Sequence, residues 1–166
     1  MTDSMNENLE SLIGQLKDVQ ERYGGFLQKP ASNESVERLC GVVKERFGTE
    51  LSPVYRSILL RTDGFNENGV YLYGSETALL QGRSDLHLGG LMEQNEIWHW
   101  MSDDISKYLF YADSDLYVFG QSLETGSFVC FAKDCIGDYL IFETDSDSDF
   151  FERIFRLAVD DGFCLE

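Results

Sequence analysis

Positive charge is scarce in this chain. Its 166 residues include 13 Lys and Arg against 30 Asp and Glu, a formal net charge of -17. A surface so one-sided repels nucleic-acid phosphates and anionic lipid, so neither nucleic acid nor membrane is expected as a partner. Long apolar runs are missing too. Stretches such as Tyr139-Leu140-Ile141-Phe142 fall far short of the roughly 20 residues that a membrane-spanning helix needs. Met1-Thr2-Asp3-Ser4 has neither a basic nor an apolar leader region, so no secretory signal is expected. The four cysteines, Cys40, Cys130, Cys135 and Cys164, form no CxxC, and only His87 and His99 could complete a metal site. No zinc is expected, and the thiols read as free in a reducing cytoplasm. Sequences of the HExxH, GxSxG, P-loop and GxGxxG types are absent. Paired carboxylates carry little meaning in so acidic a chain. The expectation is a protein without enzymatic activity, cofactor or metal.

What is present is a packable composition: 43% hydrophobic and 13% aromatic, which suits a folded domain and not an acidic disordered tail. The length fits one domain with a self-sufficient core. The charge is unevenly spread. Residues 1–83 hold 12 acids and 9 bases, and residues 84–166 hold 18 acids and 4 bases. Such a field of one sign either keeps the protein soluble or speeds its association with a basic partner.

Periodicity predicts helices first. Residues 4–23 carry Met5, Leu9, Leu12, Ile13 and Leu16 at helical intervals, with Ser4 and Glu7 spaced as a capping box. A loop with Pro30 follows. A second helix is predicted over 34–47, ended by Gly48, and a third from Ser52-Pro53 to near Asp63-Gly64. The pattern then turns to strands: Val70–Tyr73 after the turn Asn66–Gly69, then 108–112, Leu116–Phe119, Ser127–Ala132 and Tyr139–Glu143. Loops bearing Gly120, Gly126 and Gly137 separate the later strands, which predicts an antiparallel meander. Leu91–Met101 reads as a helix, and a last helix is predicted over 149–160. The sum is α+β: a mostly antiparallel sheet with helices packed on one face, N-terminal helices and a closing C-terminal helix. Cys40 and Cys130 fall on apolar periodicities and read as small core residues.

Two groups stand out as partner-binding candidates. Glu93, Glu96, Trp98, Trp100, Asp103 and Asp104 surround an aromatic centre with acids, and Trp is enriched at binding hot spots. The competing reading places both Trp side chains in the core. Asp113 and Asp115 form a second acidic candidate. Asp145, Asp147 and Asp149 begin like a calcium loop, but Phe150 and Arg156 stand where that loop needs Gly and Glu. They read instead as a helix entry whose carboxylates cap backbone N–H groups, with weak cation binding left open.

The segment Leu51-Ser52-Pro53-Val54-Tyr55-Arg56-Ser57-Ile58-Leu59-Leu60, followed by Asp63-Gly64, resembles the signature of the SUKH superfamily. Tyr108–Ser114, then Val118-Phe119-Gly120 and Gly126, resemble the family's strand, acidic turn and Gly-ended strand. The Phe150-Phe151 to Leu157 helix also fits, so the resemblance covers roughly residues 35–157. Two places differ: Asp63-Gly64-Phe65 stands where many members have Asn-Gly-Gly, and the loop after Gly120 is richer in polar residues. The resemblance implies one SUKH-like domain, with residues 1–33 as a helix-and-loop extension and 34–161 as its core. It implies a non-enzymatic binding fold. Many bacterial members resemble immunity proteins that neutralise toxin domains, often nucleases; others act as intracellular adaptors. The expected partner is thus a protein with a basic surface.

Overall fold

The structure, a computed structural model, describes residues 2–80, 86–101, 108–133 and 139–159, with the backbone alone for 2–7 and 98–101. These residues form an α+β fold. Helices α1 (Thr2–Arg22), α2 (Asn33–Phe47) and α3 (Pro53–Leu59) come first. Strands β1 (Phe65–Glu67), β2 (Val70–Leu72), β3 (Ala78–Leu79) and β4 (His87–Leu88) follow. Helix α4 (Leu91–Met101) leads to β5 (Tyr108–Asp113), β6 (Tyr117–Ser122), β7 (Phe128–Ala132) and β8 (Tyr139–Thr144), and α5 (Asp147–Val159) closes the chain. Six strands make one antiparallel sheet in the order β1-β2-β5-β6-β7-β8, and β3 pairs with β4 apart from it.

Local chemistry places most of these ends. Ser32 caps α2, its hydroxyl accepting the Ser35 N–H, and Gly48 ends it in a left-handed conformation. Ser52 caps α3 with Pro53 in the first turn. Helix α1 starts at Thr2, ahead of the start expected at Ser4. Helix α3 also stops earlier than its apolar pattern suggests. The stretch after it is held by backbone bonds to the loop before α2: Ala31 N–H to Leu59 O at 2.8 Å and Asp63 N–H to Lys29 O at 3.1 Å. A continuing helix could not offer Asp63 to that loop.

The predicted turn at 66–69 is instead a hairpin. Glu67 pairs with Val70 and Phe65 with Leu72, and only Asn68 and Gly69 form the loop, at φ 54° and 76°. Two positive φ values match the twist of the flanking strands, which is why Asn-Gly serves here. Gly120 lies inside β6, not in a loop. It sits opposite Phe110, and a side chain there would meet the Leu109 carbonyl at 3.1 Å. Gly137 and Cys135 lie outside the described residues, as does Cys164.

One face of the sheet takes α5, with α1 and α3 packed on it. Leu9, Leu12, Ile13 and Leu16 of α1 join the same buried core as Phe150, Phe151, Ile154 and Phe155 of α5. Tyr55 of α3 sits at the centre, fully buried. Its ring stacks on Phe151 at 5.6 Å and meets the edge of Tyr111 at 4.8 Å. Cys130 belongs to this core, and burial pushes its thiol up to about 12. Cys40 is half-buried against it. Two further contacts fasten the core. The Tyr55 hydroxyl donates to the Tyr73 carbonyl at 2.5 Å, and the Ser52 hydroxyl donates to Asp147 Oδ2 at 2.8 Å. Removing the Tyr55 hydroxyl leaves a buried carbonyl unmet. Tyr55→Phe is therefore expected to cost about 1–3 kcal/mol, read as a lower urea midpoint with an unchanged slope.

Candidate functional site

Helix α4 is set in place at its first turn. The Leu91 N–H donates to Gly74 O at 2.9 Å, and Leu91 and Asn95, four residues apart, point inward. Asn95 is completely buried. Its Oδ1 accepts the Phe110 N–H at 3.3 Å and its Nδ2 reaches Phe110 O at 3.5 Å, as a neighbouring strand would. That contact covers β5 beyond its short pairing with β2, which ends at Leu72 and Ala112. With Asn95 inside, Glu93 and Glu96 fall on the exposed side of α4. Glu93 Oε1 lies 3.5 Å from the Thr77 N–H, and Glu96 forms an ion pair with Arg46 of α2 at 3.4 Å. Beside them Ile97 is 52% exposed, a large apolar side chain among acids. Trp98 and Trp100 continue the helix, where the backbone alone is described, and Asp103 and Asp104 lie outside the described residues.

The second candidate group divides. Asp113 ends β5 half-buried, pairs with Lys133 at 3.7 Å and accepts a hydrogen bond from the Tyr73 hydroxyl. Burial first, and then the Asp113 charge, push the Tyr73 hydroxyl well above its ordinary value, so it remains a neutral donor. Lys133 also donates to Ser114 O at 2.7 Å, which fixes the turn into β6. Asp113 thus serves the fold. Asp115, at the tip of that turn, is exposed. It borders an open groove of about 400 Å³, with Asn68, Val70, Leu116 and Leu157 among its walls. Glu93 and Glu96 are carried by α4, whereas Asp113 ends β5 and Asp115 lies in the turn after it.

The acidic run at α5 has a different role from the one expected. Ser146, not a carboxylate, caps the helix by accepting the Asp149 N–H at 3.2 Å. Asp147 is held by Ser52 and Asp149 by Arg153, while Asp145 stays exposed. The three carboxylates thus turn to different partners. No group of three or more His, Cys, Asp or Glu among the described residues is arranged to hold a metal ion.

One residue that periodicity could not single out is Asp63. Its Oδ1 accepts the Ser75 N–H at 2.6 Å and its Oδ2 the Ser75 hydroxyl at 3.1 Å. The chain at Gly74 passes so close that an added Cβ would lie 2.7 Å from Asp63 O. Burial raises the Asp63 carboxyl above its ordinary 3.8, against the lowering by Ser75 and with help from the Glu76 charge. The only sequence signal was the turn-like pair Asp63-Gly64.

No protein-family model matches this chain, and no curated protein matches it.

A folded-state carboxyl held above 3.8 binds its proton more tightly than the unfolded chain does. Its contribution to stability is therefore present below that value and is lost as pH rises through the folded-state value. Asp63→Asn keeps an acceptor for the Ser75 N–H and a donor for its hydroxyl, but cannot ionise. Relative to this variant, the natural protein should lose stability as pH rises from 3.8 toward neutrality, as urea unfolding across that range would register.

Proposed function

We propose that this protein is a non-enzymatic binding protein of immunity type, which captures a toxin domain with a basic surface and occludes its working groove. The observation that carries the reading is how the few bases are used. Nine ion pairs among the described residues engage nine different Lys and Arg side chains. Arg22 and Lys29, both exposed, are the other described bases. Asp18, Glu45, Glu76, Asp115 and Asp145 are exposed and outside any of these pairs. The excess negative charge therefore faces solvent, with most bases already held in place. Such a field attracts a domain whose own groove is built for phosphates, and it disfavours nucleic acid itself. Opposite charge would raise the capture rate to about 10⁸ M⁻¹s⁻¹ at low salt. The resemblance to the SUKH superfamily supports the same reading. No helix of the described residues is long and apolar enough to cross a membrane. The cytoplasm is the compartment this reading proposes.

Glu93 and Glu96, with the exposed Ile97 next to Glu96 on the same helix, are the proposed contact. A tagged protein should retain one basic domain at one-to-one ratio through a high-salt wash from its native source. Against that domain, Glu93→Lys with Glu96→Lys should slow association and flatten its salt dependence. Glu96→Lys also releases Arg46, so Glu93→Lys alone should show the same direction. Unchanged rate and salt slope in both would overturn the placement. Recovery of a housekeeping protein instead of a basic toxin domain would replace immunity by an adaptor role.

A further inference from the structure

The groove of about 400 Å³ beside Asp115 is built from three parts of the chain: the turn between β5 and β6, the Asn68-Gly69 loop and Leu157 of α5. The first wall is tied down. Ser114 Oγ accepts the Leu116 N–H at 3.2 Å and the Tyr117 N–H at 3.0 Å, and the Ser114 N–H donates to Tyr117 O at 2.8 Å. From just past β7, the Lys133 N–H donates to Leu116 O at 2.7 Å. This held turn presents two side chains to water. Leu116 is 64% exposed, and no described leucine is more so. Asp115 is exposed and joins none of the ion pairs among the described residues. The bases next to these walls are engaged elsewhere. Lys133 Nζ sits 3.7 Å from Asp113 and 2.7 Å from Ser114 O, and Arg156, beside Leu157 in the chain, pairs with Glu152 at 2.9 Å. Arg22 lines a separate hollow that shares only Asn68 with this groove.

We propose that this groove docks a segment of a partner protein that sets a lysine or arginine beside an apolar side chain. The cationic head meets Asp115, and its methylene stem and the apolar neighbour lie along Leu116 and Leu157. The volume falls within the roughly 300–1,000 Å³ of typical binding pockets, enough for a few side chains. Long basic side chains have the matching two-part chemistry, an apolar stem under a charged head. A purely apolar occupant would take water from Asp115 and give it no partner, and an acidic one would be repelled. Charge also argues against the occupants nearest to hand. A second copy would bring 30 acidic residues against 13 basic ones. The seven residues after Val159 contain no Lys or Arg. Glu93 and Glu96 are not among the walls, so this contact stands or falls separately from the one proposed on α4.

Amide-resolved NMR titration of the full chain tests this with three capped peptides. The probe is acetyl-Gly-Leu-Lys-Gly-amide. One control carries Nε-acetyl-lysine in place of Lys, which keeps the stem and removes the charge. The other carries Gly in place of Leu. The probe should give saturable shifts centred on Asn68, Gly69, Asp115, Leu116 and Leu157, and both controls should bind more weakly. Asp115→Asn should lower the probe's affinity about two- to fivefold, the usual worth of one exposed ion pair, and should remove most of its salt dependence. Leu116→Ser should lower it about tenfold through lost apolar contact. Both positions are exposed, so each variant should fold, which its urea midpoint checks. Absence of saturation overturns the proposal, as does equal binding of the acetyl-lysine control or unchanged binding by both variants. Shifts centred on α4 would give the peptide to the other contact and overturn this one. Groove shifts that appear on concentrating the protein alone would give the groove to a second copy and overturn it too.

Discussion

The fold depends on satisfying one buried phenol. Tyr55 is completely enclosed, and its ring can be placed only where Tyr111 and Phe151 leave room for it. Its hydroxyl must also find a partner, since a buried donor left unmet is costly. Tyr73 O supplies that partner, just where the chain leaves β2. Burial raises the Tyr55 hydroxyl well above its ordinary value, so it stays protonated and remains a donor. One side chain thus sets the relative positions of α3, β5, α5 and the end of β2. Helix α3 has only seven residues, too few to persist alone, and it is this packing that holds it. Ser52, its cap, extends the same link to Asp147 at the start of α5.

The acidic surface follows from that frame. Some ion pairs join neighbours on one helix, such as Glu152 with Arg156 and Asp149 with Arg153. Others cross between elements: Arg56 with Glu37, Arg46 with Glu96, Arg61 with Glu10 and Lys133 with Asp113. Exposed pairs of this kind add little stability individually. Their larger consequence is that most of the described cations are occupied at fixed places on the surface. A partner approaching α4 or the β5–β6 turn therefore meets carboxylates, some of them held and some free.

Much of the fold was legible where local rules and global packing agree. The stripe Val36, Leu39 and Val43 between Ser32 and Gly48 is a helix under any reading, and Ser52-Pro53 starts one. The meander from Tyr108 to Thr144 shows in its β-branched and aromatic runs. The two-residue strands β3 and β4 carry too few residues to show any period. Strand β1 was hidden because Asn66 and Glu67 look like turn residues, although Asn68-Gly69 alone turns the chain. Gly120 looked like a loop for a related reason: in a strand, a glycine can mark close approach of the neighbouring strand's backbone, here the Leu109 carbonyl, instead of a bend.

The sequence by itself determined the α+β class, the order of most elements, the anionic character and the residues able to form a core. These follow from composition and from periods of two and 3.6, which act over a few neighbouring residues. Only the tertiary structure decided which carboxylates stay free. Asp113 and Asp115 are two residues apart, yet one is held by Lys133 and the Tyr73 hydroxyl while the other faces solvent. Asp63 became a half-buried, raised carboxyl because the fold takes it from water, while Ser75, twelve residues on, bonds to it and opposes that rise. Gln20 sits on an amphipathic helix like any polar residue, and only the tertiary packing buries its side-chain oxygen without a partner. Burial and charge pairing are set by what arrives from elsewhere in the chain, and no local pattern records that.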